Sequence, residues 1–487
     1  MKINFFRSFL KDSSIYMVPT ILAQGVNLFL VPLYTRVLSP SDYGAIDMLK
    51  VFSSLALLVV ALEISQAFGR FYVDEKTVKG KKIISSTSLF FTIFTFLCFI
   101  VICQLFAPFL AKYVLGADGL VTFFRIGSIY IAVKGILLFL NIQFRYELKS
   151  KEYAINNILL FIVTALTSIF LAYVLKWGLI GMVIGLLTGS VVSLIYGLIL
   201  LKSSYDFIFD LNKLRDMLKF SFPLVPSGIA IFLTAFIGRI MINNYLSLTE
   251  VGLFGIAFRL ASVVILLISG VNRSLMPLVY NNYEKKETPE QLTKIFRLFV
   301  SVALLFFVGL SLFAKEILML LTTPDFYESS EIIIYLVPAV LLSQMYIFGP
   351  GLALAKKTKI IMWISIGTAI ITIFLNWIFI PQFGYKGAAV ATLITYLCVF
   401  VVNIFYSQKY YYVPYKWQNI ILAVIFSIPL AAAGSFIDIG LITNIILKML
   451  IMCLVPVVII FSGLIKKKEL TQGYVLVRSF IVSKYNK

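Results

Sequence analysis

The sequence has no histidine, only four cysteines and few charges: Asp, Glu, Lys and Arg together make up 13% of its 487 residues. Without histidine, the usual zinc, haem and proton-relay ligand is missing. Cys98, Cys103, Cys398 and Cys453 all fall inside apolar stretches and read as neither a disulfide framework nor a metal cluster. Acids are the scarcer charges, 22 against 42 Lys and Arg. Long polar segments are also lacking. The widest gaps, Leu201 to Lys219 and Leu278 to Lys294, hold about eighteen residues, too few for a soluble catalytic domain.

What is present is apolar. Hydrophobic residues make up 61% of the chain and mean hydropathy is +0.99, whereas a soluble domain is about half apolar and a quarter charged. The apolar runs are roughly 20 to 25 residues long, the length of a helix across a bilayer. The ten-residue alternation of a membrane barrel is not seen. The reading is an all-α integral membrane protein with about fourteen spans. They centre near Asn27, Leu55, Phe94, Ile131, Val163, Val191, Leu233, Val264, Ala303, Val340, Ile370, Leu393, Phe426 and Cys453. The first span lacks an Ala-x-Ala-like site and is expected to be structure rather than a cleaved signal.

The net charge of +20 invites a nucleic-acid reading, but its distribution follows membrane topology. Alternate loops are basic. Arg70, Lys76, Lys79, Lys81 and Lys82 share one, Arg145, Lys149 and Lys151 the next, then Lys202, Lys213, Arg215 and Lys219, then Lys285, Lys286 and Lys294, then Lys356, Lys357 and Lys359. Lys2, Arg7 and Lys11 at one end and Lys466, Lys467 and Lys468 at the other match that side. Both termini are therefore expected in the cytoplasm, and no nucleic-acid partner is.

A polar turn is written twice. Ser39-Pro40-Ser41-Asp42 and Ser247-Leu248-Thr249-Glu250 each fit the S-x-x-[DE] capping box ahead of an apolar run. Leu38, Ser39 and Gly44 recur as Leu246, Ser247 and Gly252, 208 residues on. Gly178 and Gly181 recur as Gly384 and Gly387, 206 residues on. Two similar offsets in the same order predict a duplicated bundle. Six spans preserve orientation, so the halves are parallel repeats about an axis along the membrane normal. The expected organisation is a six-helix lobe over 1–201, a cytoplasmic linker over 202–219, a second six-helix lobe over 220–408, and two further helices with a basic tail over 409–487. A central cavity between the lobes would open alternately to each side.

The stretches "LVPLYTRVLSPSDYGAIDMLKVFSSL" and "ISQAFGRFYVDEK" resemble the N-terminal third of bacterial polysaccharide repeat-unit flippases of the Wzx type. These belong to the superfamily that also holds multidrug exporters and the lipid II flippase. The resemblance implies that an undecaprenyl-diphosphate-linked oligosaccharide is moved across the inner membrane without covalent chemistry. It implies no cofactor, and a sodium gradient, a proton gradient or the membrane potential as energy source. It also implies membrane lipids, a polysaccharide polymerase and chain-length proteins as partners of a functional monomer.

Ionisable groups inside spans are costly and point to a cavity or a partner. Here they are mostly cations: Lys50, Arg125, Lys134, Arg239 and Arg259. Arg259, Ser262, Leu266, Ser269 and Arg273 fall at three-four spacing. A diphosphate suits such cations through charge-assisted hydrogen bonds. The bland alternatives are local: Asp47 neutralises Lys50 on its own helix, Arg125 snorkels, and Glu63 pairs with Arg70. For ion coupling the candidates are Glu63 and Asp47, with Asn376 and Thr392 as oxygen ligands. A drug exporter of the same superfamily would need acids for cationic cargo. A membrane polymerase would need a large outer loop, and no outer gap exceeds roughly fifteen residues.

Overall fold

The computed structural model describes residues 31–437 and 440–465, and its regular structure is helical. The helices that position the residues of interest begin with α1 (Pro40–Val60), α2 (Ile64–Asp74), α3 (Val78–Leu105), α4 (Val121–Tyr146), α5 (Ser150–Ser168) and α6 (Gly178–Leu201). They continue with α7 (Leu211–Ser221), α8 (Val225–Tyr245), α9 (Leu248–Ala261), α10 (Ile265–Asn282), α11 (Thr288–Leu312), α12 (Ala314–Leu321) and α13 (Ile333–Gln344). α14 (Thr358–Tyr410), α15 (Trp417–Ala432), α16 (Leu441–Met452) and α17 (Leu454–Phe461) complete the set. Among the described residues, eleven helices are long and apolar enough to cross a membrane, and α15 is a shorter apolar helix. Expected centres from Leu55 to Phe426 fall on helical segments, Val264 in the tight turn between α9 and α10, and Cys453 at the break between α16 and α17. The centre at Asn27 lies outside the described residues.

The first polar turn folds as its residues dictate. Ser39 caps α1: its Oγ accepts from Asp42 N–H at 3.2 Å, and Asp42 Oδ2 accepts from Ser39 N–H at 3.1 Å. Pro40 stands at the first helical position, where a missing N–H costs nothing. At the second turn Ser247 Oγ accepts from Thr249 N–H at 3.1 Å, one residue earlier than in the first copy, and its hydroxyl bonds Glu250.

The two turns meet. A Cβ on Gly44 would lie 1.8 Å from the Leu248 carbonyl oxygen, and one on Gly252 would lie 1.9 Å from that of Pro40. Pro40 and Gly44 are the residues that the 208-residue offset maps onto Leu248 and Gly252. The contact is reciprocal, as a two-fold relation requires. Only glycine allows backbones this close.

The second glycine pair also shares a design. Gly178 (φ 50°) and Gly384 (φ 60°) both take positive φ. A Cβ on Gly181 would sit 2.7 Å from Ala172 N, and one on Gly387 would sit 2.2 Å from Phe379 O. In a continuous helix Gly387 would lie about 12 Å along the axis from Phe379, so the 53-residue run of α14 reverses at Gly384.

By contact, the chain forms two compact units. One comprises 30–255 with 369–388, and the other 256–368 with 389–487, together with 1–29 outside the described residues. These boundaries group α8 with α1 rather than following the repeat, which relates sequences of helices rather than neighbours.

In the first unit Phe68, Phe139 and Phe144 anchor a core shared by α2 and α4, which Leu214 and Met217 of α7 join. In the second unit α11 is the central helix. Phe296 of α11 packs on Phe348, Tyr415 and Trp417 with ring centroids 4.7, 4.7 and 5.9 Å away. Lys448 of α16, 1% exposed, pairs with Glu316 of α12 at 2.6 Å.

Candidate functional site

Asp47, Lys50 and Arg239 form a charged knot in the first unit. Arg239, 7% exposed, enters from α8, and its Nε donates to Asp47 Oδ2 at 2.7 Å. Its Nη1 donates to the Ala235 carbonyl at 3.3 Å, and its guanidinium lies 5.7 Å from the Phe236 ring and 5.4 Å from that of Phe254. Gly255 makes room for the carboxylate, since a Cβ there would sit 3.1 Å from Asp47 Oδ2. Lys50 lies one turn further along α1, 3.8 Å from Asp47 Oδ1 and 5.8 Å from the Tyr43 ring, with its side chain 36% exposed. Among the described residues the knot holds two cations and one anion, and Lys50 is its most exposed member. The expected Asp47–Lys50 pair forms, but the shorter contact of Asp47 is to Arg239, 192 residues away.

A second feature lies where α1 ends. Leu62 (φ 48°) and Glu63 (φ 53°) both take left-handed backbone, which breaks the helix before α2. Neither is glycine, so the break is strained. Glu63 faces a cavity of about 280 Å³, with Ser54, Ser65, Gln66 and Thr92 among its lining and Phe96 and Phe139 as its apolar wall. Ser54 Oγ donates to the Lys50 carbonyl at 2.9 Å, and Thr92 Oγ1 to that of Ser88 at 2.7 Å. With those protons committed, both hydroxyls offer lone pairs to the cavity. The expected Glu63–Arg70 pair does not form. Arg70 pairs with Asp74 at 3.2 Å, because the backbone turn takes Glu63 off the α2 face. Among the described residues the Glu63 carboxylate has no ion pair or hydrogen bond.

The remaining candidates are dispersed. Lys134 is half-buried on α4, 5.5 Å from the Tyr130 ring, and Arg125 is exposed near the start of the same helix. Arg259 is half-buried near the end of α9. The polar stripe expected from Arg259 onward is interrupted by the turn Ser262–Val264, where Ser262 Oγ donates to Phe258 O at 2.6 Å. The side chains of Ser269 and Arg273 lie outside those described. Asn376 is fully buried. Its Nδ2 donates to Thr372 O at 2.7 Å, and its Oδ1 has no hydrogen-bond donor among the described residues. Thr392 is half-buried in the second limb of α14.

Glu316, Lys448 and Arg297, whose Nε donates to Leu464 O at 2.7 Å, were not among the sequence candidates. The same rule of ionisable residues in apolar stretches finds them when applied to the second half of the chain.

These features define a helical membrane protein with ionised groups held inside its bundles. Its fold is shared with solved membrane transporters. The lipid II flippase MurJ in an inward closed conformation superposes with a TM-score of 0.73 at 17% identity, over 91% of this chain and 98% of that one. An inward-facing multidrug resistance MATE family transporter superposes with a TM-score of 0.63 at 15% identity, over 79% and 93%. Residues 33–331 match the family model described as polysaccharide biosynthesis protein, and the chain belongs to that family. A relative in Haloferax volcanii, named "Probable low-salt glycan biosynthesis flippase Agl15", is 22% identical over 49% of this chain and 51% of its own length. An Lsg locus protein of Haemophilus influenzae is 25% identical over 57% of this chain and 67% of its own. The chain thus spans about half the length of the Haloferax relative it matches.

Proposed function

We propose that this protein is a flippase, not an enzyme, which carries a lipid-linked polysaccharide precursor across the membrane by alternating access. The family match over residues 33–331 carries the reading. The fold shared with a lipid II flippase and the flippase name of the Haloferax relative support it. In its finer form, the cargo is an undecaprenyl-diphosphate-linked repeat unit for O-antigen or capsule, moved across a bacterial inner membrane by a monomer with both termini cytoplasmic. A polymerase and chain-length proteins would take up the product.

The cation-rich knot supports an anionic head group. Lys50 is the contact for the diphosphate, with Asp47–Arg239 holding it in place, and Arg259, Lys134 and Arg125 are further cationic contacts. Glu63 and its lone-pair-lined cavity are the proposed coupling site for sodium or a proton. Asn376 and Thr392 are the lesser candidates.

Reconstitution in proteoliposomes tests the reading. Purified protein should translocate fluorescent lipid-linked oligosaccharide. Movement of a cationic drug without movement of the lipid-linked glycan would favour an exporter instead.

A further inference from the structure

The segment 202–224 connects the apolar stretches of α6 and α8 and exposes large apolar side chains: Phe207 is 99% exposed, Leu211 69% and Phe222 62%. It is also firmly held. Ser204 Oγ donates to Glu147 at 2.8 Å and the Tyr205 hydroxyl to Gln143 at 2.5 Å. Asp206 N–H donates to Ser86 Oγ at 2.9 Å, and Asp210 N–H to Thr87 Oγ1 at 3.1 Å. Asp210 then caps α7 through Asn212 and Lys213 N–H, and Leu214 and Met217 fix the apolar face of α7 to the core. The exposed phenylalanines are therefore held outward by a docked scaffold.

The depth of that scaffold follows from α3. Its apolar run begins at Ile83, directly after Lys82. At about 1.5 Å per residue, Ser86 lies roughly 5 Å into that run and Phe90 roughly 10 Å. Phe207 stands edge-on to Phe90 at 5.5 Å. An interfacial segment buries its apolar face about 5 to 10 Å into the boundary between head groups and acyl chains. Lys79 is exposed on α3 about 6 Å before that run, and Lys202 and Arg215 are exposed on the segment that carries Phe207; none of the three has an ion pair among the described residues. Lys82, by contrast, is paired with Asp206 at 3.2 Å, and Lys213 with Glu75 at 3.7 Å.

We infer that residues 202–222 form a lipid-docking surface that inserts Phe207 and Phe222 into the leaflet and binds anionic phospholipid head groups at Lys79, Lys202 and Arg215. The occupant is the membrane rather than a protein, because Phe207 stands level with Phe90, roughly 10 Å into the apolar run of α3, and the same segment carries exposed cations. This holds whatever the cargo.

The test uses the full chain in liposomes, with Cys98 and Cys453 replaced by serine. Bimane is placed at Phe207→Cys and Phe222→Cys and compared with Lys286→Cys, exposed on a polar loop. Doxyl-labelled phospholipid should quench the first two, and aqueous iodide only the third. Iodide quenching at all three positions would overturn the insertion. In a second arm, retention of phosphatidylglycerol over phosphatidylcholine is measured on detergent-purified protein. The triple variant Lys79→Gln, Lys202→Gln, Arg215→Gln should lose that preference by roughly fivefold per cation removed, with an unchanged melting temperature. A preference kept in a folded triple variant would overturn the head-group assignment. A lowered melting temperature would show that these cations serve the fold, which also overturns it.

Discussion

At the residue scale, the Asp47–Arg239 pair is the point of greatest sensitivity. The two side chains are 13% and 9% exposed and bonded at 2.7 Å. Removing one partner leaves a buried charge uncompensated, at a cost of about 3 to 5 kcal/mol. Arg239→Ala should therefore lower the melting temperature and the yield of folded protein, and the double variant Asp47→Asn, Arg239→Gln should recover much of the loss. Lys50→Gln should leave the melting temperature unchanged and slow translocation, since Lys50 is the accessible cation of the three. Outside the membrane, Glu75 accepts Thr77 N–H at 3.1 Å and the Thr77 hydroxyl at 2.8 Å, and lies near Lys213. These contacts, the Thr77 bonds foremost, hold its carboxyl below the ordinary range. A depressed folded value means that the stabilisation is present above the unfolded pKa and is lost as pH falls through the folded value. Amide exchange at the first turn of α3 should accelerate on acidification through the acid side of the carboxylate range, and Glu75→Gln should remove that dependence. The charges themselves were legible in the sequence, because ionised groups stand out in apolar runs. Their partners were not. Spacing reveals neighbours three or four residues apart, whereas Arg239 reaches Asp47 across 192 residues. Glu63 was legible as a candidate, but its separation from Arg70 was not: nothing at Leu62–Glu63, neither glycine nor proline, signals the left-handed backbone there.

At the scale of elements, caps and glycines were the readable signals. Ser39 forms its box as written, and Gly384 marks the reversal inside α14. Gly384 takes φ 60°, ψ −148°, a region essentially closed to other residues. The nearest atom to an added methyl is Leu246 Cδ1 at 3.9 Å, so the cost of Gly384→Ala is backbone strain alone. Gly384→Ala should destabilise by about 1 to 3 kcal/mol, read as a fall in melting temperature. In the sequence α7 shows only as a basic link. Its buried face is just Leu214, Met217 and Ser221, too short a pattern to separate from a polar loop without the α2–α4 core on which it rests. The buried Lys448–Glu316 pair ties α16 to α12. Lys448→Met should loosen that attachment by leaving Glu316 alone, and Lys448→Met with Glu316→Leu should restore it, as measured by thermal unfolding.

At the scale of the whole molecule, the alternation of basic loops predicts which side of the membrane each loop faces. Cysteines at Ser41 and Lys286 should react with membrane-impermeant reagents from opposite sides, and labelling of both from one side would refute the arrangement. The reciprocal crossing of Gly44 and Gly252 has a consequence for how the chain can be assembled. Each copy of the turn lays its glycine on the other's first helical turn, as two subunits of a symmetric dimer would, and α8 packs on α1. If the two copies belong to two halves that fold as partners, the peptide link between them raises local concentration rather than shaping the contact. A gene divided in the polar stretch after Leu201 should yield two polypeptides that are each degraded when made alone. Made together, they should associate in the membrane and co-purify. A bulky residue at position 44 should abolish that association as fully as one at position 252.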